Sequence, residues 1–503
     1  MAAGHPETAR AAAEVLSAGG NAYDAALAAG FAAAVAEPAL TSLGGGGFLL
    51  AATAEGEQVL VDFFVDTPGR GLPVDALEPH FTPVTVKFAS AEQVFHVGWG
   101  SVAVPGCLNG YLHVHQRFGR LDLAEIVAPA RRMARDGVPV NAIQAHVLDL
   151  LTGVVTLTEE GWEVFAPRGH VLTEGERLSN PAYGDLLDEL AAGNVAGMHA
   201  PAVSDGLLTA MRRHGGLLTR TDLDSYWVIE REPLRMTYRG SEVLTNPPPS
   251  FGGGLVLTAL EALAADGAAD DDVTGTVRLC DALVAMGQQH AASRHVLSPE
   301  AFRTSRGTTQ ISVADTQGNV ASMTTSNGSC SGVFAPGTGV HLNNIMGEDD
   351  LHPGGFHAAP PGLRVGSMMA PSVVLEPDGT CLALGSGGSE RIRSALTQVL
   401  VNLLDRGMSL EQAVEHPRMH WDGSVLQVEP GLADAVVEAL YRHRNVNLWE
   451  SRNLYFGGAH VVGLRMQSPT RDAAQTAARD VDRAPSRAAA AGDPRRGGSV
   501  WIG

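Results

Sequence analysis

A chain of 503 residues, 45% hydrophobic and 18% charged, can bury a large core in one extended α/β domain or in several smaller ones. Its net charge of −20 excludes a duty of neutralising nucleic-acid phosphates or docking on an anionic membrane, both of which need clustered Lys and Arg. Lys87 is the only lysine, so a phosphate-binding GxxxxGK[ST] loop is absent and Schiff-base chemistry would rest on that one side chain.

The start, MAAGHPETARAAAEVLSAGG, lacks the basic and apolar regions of a secretion signal, and no run of about 18 apolar residues follows, so the expected location is the cytoplasm. Residues 6–19 read as a helix closed by Gly19-Gly20, and Asn21-Ala-Tyr-Asp24 opens an alanine-dense, largely buried helix to about Val35. Glu37-Pro38 stops it. The run Ser42-Leu-Gly-Gly-Gly-Gly-Phe48 then leads into an apolar strand. A dinucleotide loop needs strand before glycines and helix after; here the order is reversed.

Gln58 to Asp62 alternates as a strand, and helices dominate from about Leu108 to His214. Tyr238 to Leu244 reads as one strand, Asn246-Pro-Pro-Pro-Ser250 with Gly252-Gly-Gly254 as a loop before a helix, and 268–272 as an exposed acidic stretch. From Thr308 the texture changes. Thr308 to Asp315 and Val320 to Ser326 form a hairpin about Thr316-Gln-Gly-Asn319, and Ser372 to Leu375 pairs with Thr380 to Leu384 across Pro377-Asp-Gly379. Residues 470–488, rich in Ala, Arg and Asp, read as a loose surface insertion. Helices bracketing two strand-rich stretches suit two sheets between helical layers.

Cys107, Cys280, Cys330 and Cys381 form no CxxC pair, so neither a disulfide framework nor a zinc site is expected. His113-Val-His115 has strand-like spacing, and His352 and His357 are separated by glycines; neither pair has an HExxH context, and no metal or other cofactor is expected. A GxSxG elbow is also absent. What remains is Arg306-Gly-Thr-Thr-Gln-Ile-Ser-Val-Ala-Asp315, which taken bare is an ordinary start to a strand.

In context this block resembles the self-cleavage site of the γ-glutamyltranspeptidase family. The resemblance runs through Gly-Gly-Asn-Ala-Tyr-Asp24, Glu37-Pro38 and the glycine run, then Ser101-Val-Ala-Val-Pro-Gly106, Phe118-Gly-Arg-Leu121, Glu230-Arg-Glu-Pro233 and Pro247-Pro-Pro-Ser250. It continues through Leu342-Asn-Asn344, Ser367-Met-Met-Ala-Pro371, Gly385-Ser-Gly-Gly-Ser389 and Gly492-Asp-Pro-Arg-Arg496. It implies a four-layer αββα sandwich of the N-terminal-nucleophile hydrolase type, cut between Gly307 and Thr308. Fragments 1–307 and 308–503 would then stay together as a heterodimer woven into one domain.

The resemblance also implies a catalytic set: Thr308 as nucleophile, Ser326 bonded to it, and the backbone amides of Gly388 and Ser389 as oxyanion donors. The physical logic is compact. A hydroxyl is a weak nucleophile without a base, and cutting after Gly307 frees an α-amine of pKa near ~8 on the same residue. Donors aimed at the tetrahedral oxyanion each contribute ~3–4 kcal/mol.

Against the family pattern, Phe64 stands where an arginine holds the γ-glutamyl carboxylate, and Gly347 where an aspartate holds the ammonium, with Glu348 next. Ser367-Met368 replaces a Ser-Ser pair, and Asn327 adjoins Gly328 at a further polar position. The implied activity is an amidohydrolase or acyltransferase that cleaves γ-glutamyl amides such as glutathione and passes the acyl group to water or an amine. The alternatives are the same mechanism on a different acyl amide, and an unprocessed binding homologue. Either enzyme takes a small-molecule amide.

Overall fold

Leu49 and Ala51 of strand Gly46–Ala52 belong to one apolar core with Val59, Val61 and Phe63, whereas Phe48 and Leu50 belong to a second with Leu60 and Phe64. Side chains alternate along a strand, so a strand apolar on both faces lies between two layers. The computed structural model describes residues 1–503 other than 74–76, 79, 89–90, 266, 268, 270, 295–306, 353 and 466–487. The insertion expected from 470 lies outside these, up to Ala488, which opens strand Ala488–Ala491.

One antiparallel sheet of seven strands runs, edge to edge, Ser499–Val500, Ala2–Ala3, Gly307–Ala314, Val320–Gly328, Gly46–Ala52, Gln58–Phe63 and Ile229–Arg231. The other, of six, runs Ala488–Ala491, Gly458–Arg465, Thr380–Gly387, Ser372–Leu375, Ser241–Thr245 and Leu234–Tyr238. Their inner faces meet around Gly307–Ala314. Ser312 Oγ donates to His460 O (2.9 Å) and Ser322 Oγ to Leu384 O (2.7 Å), so the sheets are joined by hydrogen bonds as well as by apolar contact. Helices Pro6–Ser17, Ala22–Ala36 and Cys107–Phe118 cover the first sheet, with Leu123–Asp136 packed on the first two, and Gly252–Ala265 and Arg391–Leu404 cover the second, with Asp272–Arg294 packed on Gly252–Ala265. The fold is an αββα sandwich.

All 15 residues of helix Ala22–Ala36 are buried, as its alanine content requires. Asn21 and Asp24 form a reciprocal capping box, and the Asp24 carboxylate also accepts from Arg120 N at 3.1 Å. Asn21 Nδ2 donates to Phe118 O (2.7 Å), so two separated sequence motifs form one joint. Three local expectations are corrected. Residues 238–244 are not one strand: Arg239 (φ 51°) and Gly240 (φ 86°) turn between two. His113 and His115 lie on a helix, not a strand. The strand read from Thr380 to Leu384 continues through Gly387.

Candidate active site

Thr308 sits where the sheet is irregular. Gly307 pairs with Gly328 and Thr309 with Thr325, with a bulge between that takes Thr308 out of the ladder. Bulges re-aim a side chain. Here the Thr308 hydroxyl donates to the carbonyl of Gly307 at 2.7 Å and lies 3.3 Å from Ser326 Oγ. Ser326 Oγ donates to that same carbonyl at 2.6 Å and itself accepts from Gly328 N at 3.0 Å. Two hydroxyls therefore polarise one peptide carbonyl. A Cβ on Gly307 would stand 2.4 Å from Gly328 O and 2.7 Å from Ala39 O, both backbone atoms, so only glycine fits there.

The end of helix Ala22–Ala36 braces this corner from behind. Asn327 N donates to Leu40 O (3.0 Å), and the Glu37 carboxyl accepts from Thr8 Oγ1 (3.0 Å) and Thr309 Oγ1 (2.8 Å). Burial raises the Glu37 pKa to about 7, against the opposing pull of the two threonines and Arg496.

From the second sheet, strand Thr380–Gly387 delivers Gly388 and Ser389 to the start of helix Arg391–Leu404. A Cβ on Gly387 would be 2.3 Å from Thr308 O, so the strand's end lies directly against the threonine. Gly388 (φ 129°) and Ser389 (φ 52°) both take left-handed backbone angles. For serine that conformation costs roughly 1–2 kcal/mol, a strain the surrounding packing must hold.

Thr308 opens into a narrow cavity of about 30 Å³ lined by Gly307, Ser326 and Ser389 and walled by Phe64, Ile345, Glu348, Leu351, Ser367, Met368, Met369 and Ile392. Of the residues singled out in the sequence, Thr308, Ser326, Gly307, Ser389, Phe64, Glu348, Ser367 and Met368 thus converge. Gly388 lies just behind Ser389, and Asn327 is fully buried below the floor, its amide donating to Leu342 O at 3.3 Å. Gly347 faces away: a Cβ there would be 1.9 Å from His96 O, and Glu348 is the residue that turns inward. Ile345, Leu351, Met369 and Ile392 were not foreseen. Each reads as core, and only their neighbours in the Leu342–Asn344, Ser367–Pro371 and Ser389 motifs gave a hint.

Among the described residues, Glu348 is the one ionisable side chain in the lining. The arginines near Phe64 are engaged elsewhere: Arg364 reaches Asp66 (3.2 Å) and the carbonyl of Phe64, and Arg231 pairs with Asp62 (2.8 Å). Arg70 donates to Gly362 O at 3.2 Å.

The family model for gamma-glutamyltranspeptidase matches residues 8–283 and 280–501. The chain belongs to the γ-glutamyltranspeptidase family. Among relatives, it is 34% identical over 486 residues to the acylase ACY 1 proenzyme of Pseudomonas sp. strain V22, covering 87% of this chain and 85% of that one. It is 27% identical over 490 residues to the glutathione hydrolase proenzyme of Escherichia coli K12, covering 85% and 82%. Its structure resembles that of a cephalosporin acylase from Bacillus halodurans (TM-score 0.81, 25% identity), covering 100% of this chain and 95% of that one. The chain is therefore an enzyme of this γ-glutamyltranspeptidase group, whose N-terminal-nucleophile hydrolase fold it shares.

Proposed function

We propose that the protein cuts itself between Gly307 and Thr308 and then hydrolyses or transfers small acyl amides through an ester on Thr308, with an acyl group less charged than γ-glutamyl. The observation that carries this is the lining of the cavity, which among the described residues has apolar walls, one carboxylate and no cation.

In self-cleavage the Thr308 oxygen attacks the Gly307 carbonyl carbon. Negative charge develops on the oxygen that already accepts from Ser326, which is where a donor lowers the barrier. The peptide C–N bond breaks as its nitrogen takes a proton. Water then hydrolyses the ester, leaving a carboxylate on Gly307 and a free amine on Thr308. In turnover that amine takes the hydroxyl proton as Thr308 attacks the substrate carbonyl, and returns it to the departing amine. In this reading the backbone amides of Gly388 and Ser389 donate to the developing oxyanion. Departure of the Gly307 end from the cavity it lines makes room for an acyl group, which about 30 Å³ does not.

A γ-glutamyl carboxylate buried beside Phe64, Met368 and Ile392 would find no counter-charge among the described lining residues, a cost of several kcal/mol. The second reading, γ-glutamyl amides such as glutathione, is favoured by Glu348, which can hold an ammonium, and by the relatives named glutathione hydrolase. Anilides separate the two. The processed protein should turn over an uncharged aliphatic acyl anilide with higher kcat/KM than the γ-glutamyl anilide; the reverse order would establish the second reading.

A further inference from the structure

Arg496 lies against Thr308 without lining the cavity. Its stem is fixed by contact with Gly458, where an added Cβ would lie 2.6–2.7 Å from the arginine's Cβ, Cγ and Cδ. Its guanidinium Nη1 points at the carbonyl of Thr308, 3.5 Å away. A Cβ on Gly387 would stand 3.4 Å from Nη1, and one on Gly388 3.6 Å from Nη2, so bare glycine faces let the cation sit against the oxyanion turn as well. The side chain is buried, at 8% exposure. A buried cation touching the residue that supplies both nucleophile and base needs a reason, because charge is expensive to enclose.

We propose that Arg496 is a positioning residue whose fixed positive charge keeps the α-amine of Thr308 unprotonated, and hence a base, at working pH. The inference rests on Thr308 being the N-terminal nucleophile. A second positive charge beside the guanidinium is disfavoured, so protonation of the amine is opposed.

Among the described residues, the other charges around Thr308 leave this balance positive. Asp493, on the same turn as Arg496, gives one oxygen to Arg418 (2.6 Å) and the other to Arg495 (3.2 Å). Arg495 is held also by Glu429. Arg391, at the start of helix Arg391–Leu404, adds a further positive charge near Arg496. Glu37, beyond Thr309, is largely protonated below its pKa of about 7. Glu348 acts from the cavity side and opposes Arg496. Burial and its arginine neighbours lower the Arg496 pKa only to about 10, so it stays charged at neutral pH.

The test is a titration of wild-type protein labelled with ¹⁵N-threonine. After cleavage Thr308 carries the only threonine amine, while every other threonine nitrogen is an amide. Its midpoint should fall below about 7, under the ordinary α-amine value of ~8. In Arg496→Met the midpoint and the acidic limb of kcat/KM should rise together by on the order of one pH unit, and Arg496→Lys should hold both near the wild-type position. A wild-type amine that titrates at about 8 or above overturns the proposal, as does a processed Arg496→Met protein with both values unmoved. These outcomes leave Thr308 as nucleophile. Absence of any threonine amine from the spectrum would instead remove the nucleophile itself, and the role of Arg496 with it.

Discussion

Ser326 and Thr308 share one acceptor, the Gly307 carbonyl, at 2.6 and 2.7 Å. That arrangement gives Ser326 a specific duty in self-cleavage. Ser326→Ala should slow the appearance of the 308–503 fragment by on the order of 10²-fold, as loss of one oxyanion donor does, and Ser326→Thr should restore it. Timed denaturing gels of freshly made protein would show the difference. Glu348 makes a different prediction. As the one charge among the described lining residues, it should matter for acyl donors that carry an amine, so Glu348→Gln should cut their kcat/KM by about 10–100-fold and spare donors without one. Paired assays on amino-bearing and amine-free acyl anilides would check it.

Thr308, Gly307 and Ser326 were legible in the sequence because a motif fixes them in order on adjacent strands. The inward turn of Glu348 was not. Which of two neighbours faces a cavity depends on the short 3-10 turn Ile345–Gly347, and sequence carries no signal for its rotation. The apolar lining was hidden for another reason: a methionine or isoleucine that greets a substrate has the same composition as one that fills a core.

At the scale of elements, the bulge in the Gly307–Ala314 strand is held by the end of helix Ala22–Ala36 through Glu37 and Thr309. Because burial raises the Glu37 pKa from 4.5 to about 7, the folded state binds its proton more tightly than the unfolded one. The stability this contributes is fully present below pH 4.5 and is lost as pH rises through about 7. Glu37→Gln keeps an acceptor for the threonines and cannot ionise. Its stability relative to wild type should therefore rise across that window, by on the order of 3 kcal/mol at its upper end, in denaturant unfolding measured at pH 5 and pH 8.

Most elements could be placed from alternation and caps: Asn21 and Asp24 announce a helix, and Thr308 to Ser326 a hairpin. The hairpin at 234–245 escaped because its turn places Arg239, a residue with a Cβ, at φ 51°. The pair His113 and His115 misled through an i, i+2 spacing that on a helix has no common face.

Across the whole molecule, both sheets are built from strands on either side of residue 307. Gly307–Ala314 has Ala2–Ala3 on one edge, and Val320–Gly328 has Gly46–Ala52 on its own. Cleavage at 307 should therefore leave two fragments that elute together in native size-exclusion chromatography and part only in denaturant. Acid should loosen them. Burial lowers the pKa of His5, His341 and His460 from 6.5 to about 4, so the stability held by their neutral forms is present above pH 6.5 and lost as pH falls through about 4. Glu37 and Asp66 run the opposite way, but His357, lowered likewise by burial to about 4, adds to the other histidines. The denaturation midpoint should fall between pH 7 and pH 5.

The layer order followed from family resemblance and from helices bracketing strands. Strand order within the sheets did not, because a two-residue strand such as Ala2–Ala3, paired with residues some three hundred positions away, leaves no local trace.

The account turns on a chain end made at residue 308, and intact-mass analysis with N-terminal sequencing of active, purified protein reads that end directly. The expected result is a fragment beginning Thr308-Thr-Gln-Ile beside one ending at Gly307, both absent from Thr308→Ala. An active, uncut chain of 503 residues would contradict it.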